Sequence, residues 1–189
     1  MVKLVYFIAV SADGFIASPE GAFDFFPFEG EHIGAQVQAF PETLPSHVRK
    51  ALGASEHAVR FGSVVMGRNT YEPALKAGLS HPYAPLPTVV FSRTLPARAE
   101  GSLRITQEDP VEVVKASKAS ATRDIWLCGG ATLATQLAPL VDELLLKVNP
   151  VVVQRGIRLW DGPFAPRTLR LRSARTFSSG VAWLHYDCA

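Results

Sequence analysis

Cysteine is scarce. The 189 residues hold two, Cys128 and Cys188, which rules out a disulfide framework and leaves no Cys/His spacing suited to a metal. The five histidines, His32, His47, His57, His81 and His185, form no HxH, HExxH or HxxxH pattern, so no metal is expected. Charge of one sign is also lacking. The 19 Lys+Arg stand against 17 Asp+Glu, a formal net charge of +2, with no basic block and no arginines interleaved with aromatics, which argues against a nucleic-acid partner. The densest positive stretch, 167–175, alternates with Leu169 and Leu171 and reads as the solvated face of a strand. No apolar run approaches the roughly 20 residues that span a bilayer. The opening MVKLVYFIAV is broken by Asp13 and Gly14 where a signal peptide would run on to its cleavage site, so it reads as a first strand. The expectation is a soluble protein of a reducing, cytoplasmic compartment, without membrane contact.

What is present is apolar and evenly spread. With 48% hydrophobic residues, a chain of this length buries about two thirds of its unfolded surface in one core, so a single domain over 1–189 is expected. Short runs rich in Val, Ile, Leu and aromatics predict strands at 3–10, 63–66, 88–92, 124–128 and 143–148. Helical spacing or helix starts predict helices at 46–54, 69–76, 110–118 after Asp109, and 131–137 after a Gly-Gly pair; 33–40 is also helix-like. Strand and helix alternate, the pattern of an α/β fold with a mostly parallel central sheet and helices on both faces. The chain ends differently, because 168–176 and 181–186 flank Ser178, Ser179 and Gly180 as a C-terminal antiparallel hairpin. Between Pro19 and Pro45, Phe23, Phe25, Phe26 and Phe28 surround Asp24, either as a satellite core under a loop or as one wall of a pocket.

Four segments could carry chemistry. In VVMGRNTYE a strand runs into Gly67 and a helix follows, so first-turn amides, Arg68 and Thr70 could hold an anion, although an ordinary strand-to-helix turn would look the same. In VVFSRT another strand ends in Ser92 and Arg93. On a parallel sheet these reach the same edge, where two arginines could select the 2′-phosphate of NADPH over NADH. In WLCGGATL the pair Gly129-Gly130 permits backbone geometry closed to other residues and brings Ala131, Thr132 and Leu133 within reach of a pyrophosphate. Cys128 beside it reads as a small buried hydrophobe, with no base placed to activate it. In SADGFIA the Asp13-Gly14 dipeptide is a turn whose backbone could contact a flat cofactor ring.

In this order, the SxDGxIA loop, VMGRNTYE, VFSRT and WLCGGATL resemble the dihydrofolate-reductase-like superfamily, in the branch related to the C-terminal reductase domain of the bifunctional riboflavin-biosynthesis deaminase-reductase. VDELLLKVNPVVVQRG similarly resembles the late strand and return loop of that branch. The resemblance implies NADPH as cofactor. Gly67, Arg68, Thr70, Ser92 and Arg93 would lie at its phosphates, Gly129, Gly130, Ala131, Thr132 and Leu133 at the pyrophosphate across a cis peptide, and Ala9, Gly14 and Ile16 near the nicotinamide. It also implies a homodimer and a small heterocyclic (pterin- or pyrimidine-like), imine or carbonyl substrate. Two departures bear on that substrate. The helix-like run 33–40 lacks the carboxylate with which folate-reducing relatives bind a pterin, and the deaminase zinc signature is absent. Asp13, Asp24, Glu31 and Glu42 are the nearby acids, with Asp24 and Asp13 the expected proton donors besides ordered water. A non-enzymatic nucleotide-binding or structural dimer on the same fold is the alternative, and an unrelated flavodoxin-like or Rossmann binder would explain the hairpin poorly.

Overall fold

Side-chain alternation along the first strand decides the layering. In the computed structural model, which describes residues 1–188, Leu4 and Tyr6 point to one face of a sheet and Val5 and Phe7 to the other, and all four are buried. The strands are β1 (Leu4–Ser11), β2 (Phe15–Ala17), β3 (Phe61–Gly67), β4 (Thr88–Phe91), β5 (Arg98–Glu100), β6 (Leu103–Thr106), β7 (Asp124–Gly129), β8 (Val141–Asn149), β9 (Ile157–Arg158), β10 (Leu169–Thr176) and β11 (Ala182–Cys188). The α-helices are α1 (Glu31–Ala39), α2 (Ser46–Ala51), α3 (Arg68–Lys76), α4 (Pro110–Ser120) and α5 (Ala131–Leu137).

Nine strands form one sheet in the order β10-β11-β8-β1-β7-β3-β4-β6-β5, and β2 pairs with β9 in a small antiparallel sheet. From β8 to β6 every neighbouring pair is parallel. At the edges β5 and the β10-β11 hairpin run antiparallel. The expected mostly parallel sheet with a terminal hairpin is therefore present. The arginine-rich stretch in β10 is exposed along nearly its whole length, as a solvated strand face requires.

Helices cover both faces. On one, Leu4, Tyr6, Val65 and Leu127 meet Val113 and Val114 of α4 and Leu133 and Leu137 of α5. On the other, Phe7, Met66, Trp126 and Cys128 meet Tyr71 of α3, while Ala35 of α1 packs on Phe177, Val181 and Trp183. Each buried Leu or Phe contributes on the order of 1.5–3 kcal/mol, so the two apolar faces hold the layers together. Asp109 starts α4 by accepting from the amides of Val111 (2.8 Å) and Glu112 (3.1 Å). The helix expected over 46–54 stops at Ala51, because Gly53 follows with φ +61° and turns the chain out of the helix.

Candidate functional site

Because β1, β3, β4, β6, β7 and β8 run parallel, they end at one edge, at Ser11, Gly67, Phe91, Thr106, Gly129 and Asn149. Ligands of open α/β sheets bind outside this edge. All four chemistry-bearing segments of the sequence converge there. Gly67 is the N-cap of α3 and supplies no side chain, so the first-turn amides of α3 stay open. The Arg68 guanidinium donates to Thr94 Oγ1 at 3.1 Å and pairs with Glu72 at 3.5 Å, which lays it over the turn after β4. Ser92 is buried, and its hydroxyl accepts from the amides of Thr94 (3.2 Å) and Leu95 (2.8 Å), so it shapes that turn. Arg93 beside it is exposed.

The Gly129–Gly130 peptide is cis, and Gly129 has φ +132°, where a side chain is disfavoured. A Cβ on Gly129 or Gly130 would lie 3.6 Å or 3.5 Å from Thr70 Oγ1, and one on Gly67 would lie 3.9 Å from the Gly129 oxygen. Three glycines and one small hydroxyl thus leave bare backbone between β3 and β7, with Arg68 next to Gly67. A phosphate-bearing dinucleotide fits such a donor set. After Gly130, Ala131 and Leu133 are buried, while Thr132 is exposed at the start of α5.

Asp13 has a different place from a proton donor's. Its carboxylate accepts from Ser11 Oγ at 2.6 Å, from the Val153 amide at 3.1 Å and from the Gln154 amide at 2.7 Å. The Ser11 hydroxyl first, then the two amides, hold its pKa at about 2, and the group has no proton to give near neutrality. Asp13 instead ties the loop after β1 to the return loop after β8, and the Leu159 amide adds a bond to the Gly14 oxygen at 3.0 Å. Asp24 lies exposed, with Phe23 and Phe28 more than half exposed beside it, so no closed apolar wall surrounds it. Glu31 opens α1 and accepts from the Ser178 amide at 3.2 Å. Glu42 is buried and accepts from the amides of Val59, Arg60 and Phe61. Asp13, Glu31 and Glu42 thus have their carboxylates engaged by backbone amides.

A group absent from the sequence reading lies next to Ala9. Lys147 of β8 is the strand neighbour of Ala9 and stands opposite Trp183 of β11. Its ammonium donates to Gln36 Oε1 of α1 at 2.9 Å and sits 5.0 Å above the Phe7 ring. Loss of solvation lowers its pKa to about 8, while the nearby Cys128 pulls the other way. Burial pushes the Cys128 thiol up to about 12, in keeping with a buried hydrophobe. The one sequence signal for Lys147 is a lone base inside LLLKVN.

The model of the RibD C-terminal domain matches residues 2–183. An uncharacterised Bacillus subtilis (strain 168) protein, YwjB, is 28% identical over 187 residues, covering 97% of both chains. Among solved structures, a candidate riboflavin biosynthesis protein from Shewanella sp. PV-4 superposes with TM-score 0.72 at 20% identity, covering 100% of this chain and 99% of the other. RibD of Acinetobacter baumannii gives TM-score 0.64 at 16% identity, covering 100% of this chain and 58% of that one. At these identities the structures speak for the fold.

Proposed function

The chain belongs to the RibD C-terminal domain family, a reductase family with the dihydrofolate-reductase-like fold, and from that premise we propose that it is an NADPH-dependent reductase of a small heterocyclic, imine or carbonyl substrate. The observation that carries this reading is the bare-backbone cradle of Gly67, Gly129 and Gly130, with Arg68 laid across the turn that bears Arg93. Arg68 and Arg93 neutralise the 2′-phosphate, the open amides of α3 meet phosphate oxygens, and residues 129–133 lie along the pyrophosphate. Ala9, Gly14 and Ile16 border the nicotinamide. Bound there, the cofactor supplies a hydride, and the protein's part is to hold two flat rings in register and keep water out. Such positioning is worth on the order of 7–11 kcal/mol. With Asp13 clamped and Asp24 exposed to solvent, the proton comes from ordered water or from a residue other than these two. Cys128 and Cys188 are free thiols, which suits a reducing cytoplasm. No helix among the described residues is long and apolar enough to cross a membrane. The protein works as a homodimer without nucleic acid.

The test is parallel titration with NADPH and NADH, followed by fluorescence. NADPH is expected to bind at least tenfold more tightly, and Arg68→Ala to remove most of that preference, a change of about 1.4 kcal/mol or more. Equal losses for both cofactors would discard the 2′-phosphate assignment. Binding without oxidation of NADPH by any pterin, pyrimidine or imine would favour the alternative, a nucleotide-binding dimer, for which the engagement of Asp13, Glu31 and Glu42 by backbone amides is the supporting observation.

A further inference from the structure

We propose that Lys147 heads a subsite for a flat ring bearing an electron-rich or anionic oxygen, on the sheet face that α1 covers. The role of this subsite as the substrate position rests on the reductase reading.

Lysine is rarely covered by protein without an acidic partner. The Lys147 ammonium forms no ion pair among the described residues, and its one side-chain hydrogen bond there is to the Gln36 side-chain oxygen. Gln36 is itself fixed, because its amide donates to Thr43 Oγ1 at 2.8 Å. The residue keeps partial exposure while its ammonium is desolvated over the Phe7 ring, so solvent reaches the side chain without surrounding its charge.

A second donor lies beside it. The indole N–H of Trp183, opposite Lys147 on the neighbouring strand, is buried and has no hydrogen-bond partner among the described residues. A buried donor without a partner costs on the order of 1–3 kcal/mol, an outlay that a ligand acceptor can recover. The remaining polar lining is neutral: the Tyr83 hydroxyl lies 3.8 Å from the Cys128 sulfur, and burial raises the pKa of both. Cys128 is the titratable group whose charge acts on Lys147, and with Tyr83 behind it keeps its proton through the neutral range.

The chemistry of the pocket follows from that inventory. One cation and one unpaired N–H, with no carboxylate, recognise an acceptor, so a carbonyl, enolate or imide oxygen fits where an amidinium or a protonated diaminopyrimidine does not. Phe7, Phe40 and Trp183 form a cluster of rings with centroids 5.1 to 6.3 Å apart, an apolar wall suited to a planar ligand. Lys147 adjoins Ala9, so a ring held by its oxygen stands beside the position assigned to the nicotinamide, with an N–H at that oxygen.

The experiment uses the full chain without cofactor and two probes, barbiturate as a planar oxyanion and 2,4-diaminopyrimidine as its basic counterpart. Binding is read by calorimetry and by the NMR signal of Lys147 after 13C-methylation of lysines. Barbiturate should bind and shift the Lys147 signal. Its affinity should fall at least tenfold in Lys147→Gln, be largely kept in Lys147→Arg, and decline as pH rises through about 8. Diaminopyrimidine should not bind at the same concentration. NADPH affinity of Lys147→Gln should stay within about twofold of the parent chain's. No barbiturate binding, equal binding by the parent and Lys147→Gln, or preferred binding of diaminopyrimidine would each overturn the subsite. The two readings separate cleanly. NADPH binding with no Lys147-dependent barbiturate binding sinks only the subsite, and the reverse sinks only the reductase assignment.

Discussion

Charged residues inside a fold are either satisfied by the protein's own groups or left for a ligand, and Glu42 and Lys147 illustrate the two cases. Glu42 spends its carboxylate on three consecutive amides, with Arg60 at 2.7 Å and Phe61 at 2.6 Å, and so sets the entry into β3. Glu42→Gln would turn an N–H donor toward those donors. The expected cost is about 1–3 kcal/mol, read from the urea midpoint, with the NADPH constant little changed. Asp13 is a second anchor. Asp13→Asn should speed hydrogen exchange at the Val153 and Gln154 amides without abolishing turnover, and loss of turnover with unchanged exchange would restore Asp13 as an acid. The Asp13 contribution is present above the ordinary carboxyl range and is lost as pH falls through about 2, because its folded pKa is depressed. Neither role was legible in the sequence. A carboxylate's partners 17 to 19 or 140 residues away leave no local pattern, whereas Asp-Gly and Phe-Asp-Phe neighbourhoods suggest chemistry on sight.

At the scale of elements, legibility tracked length and burial. The runs that became β1, β3, β4, β7 and β8 are buried on both faces and read as continuous apolar segments, and the start of α4 was marked by Asp109 and Pro110. The pieces that escaped are short or exposed: β5 is exposed at every residue, and β2 and β9 hold only three and two residues. Yet β2 and β9 stitch the loop after β1 to the return loop after β8, and so shape the cofactor's expected nicotinamide end. Gly156 makes that seam possible. A Cβ there would run into the carbonyl oxygen of Ala17, which is backbone and cannot swing aside. Gly156→Ala is expected to cost about 1–3 kcal/mol and to weaken NADPH binding, measured by thermal melting and by the fluorescence titration. A wild-type melting curve would show that the loop yields freely and that β2 and β9 are not needed.

At the scale of the molecule, the two edges of the sheet divide the labour. The C-terminal edge carries open amides, glycines and exposed arginines, a set that gains by meeting a ligand. Toward the opposite edge, Glu143 of β8 is fully buried and gathers three cations from distant parts of the chain, Lys3, Arg60 and Arg172 at 2.6 Å, together with the His185 ring at 2.7 Å. Burial by itself would raise its pKa, but the hydrogen bonds from Lys3, Arg60 and His185 outweigh that and hold the carboxyl at about 2. Because the folded pKa lies below the unfolded one, this contribution is complete above the ordinary glutamate range and disappears as pH falls through about 2. The hub links the residue before the first strand, the approach to β3 and the terminal hairpin, and so adds a side-chain tie to the backbone pairing of these strands. Glu143→Gln strands the cations around a neutral amide and is expected to cost about 3–5 kcal/mol, with the loss shrinking toward the acid limit where the parent chain is protonated as well. Denaturation of both chains across pH 2 to 7 measures it. A constant difference over that range would mean that packing of the side chain, and not its charge, holds the hairpin to the parallel strands.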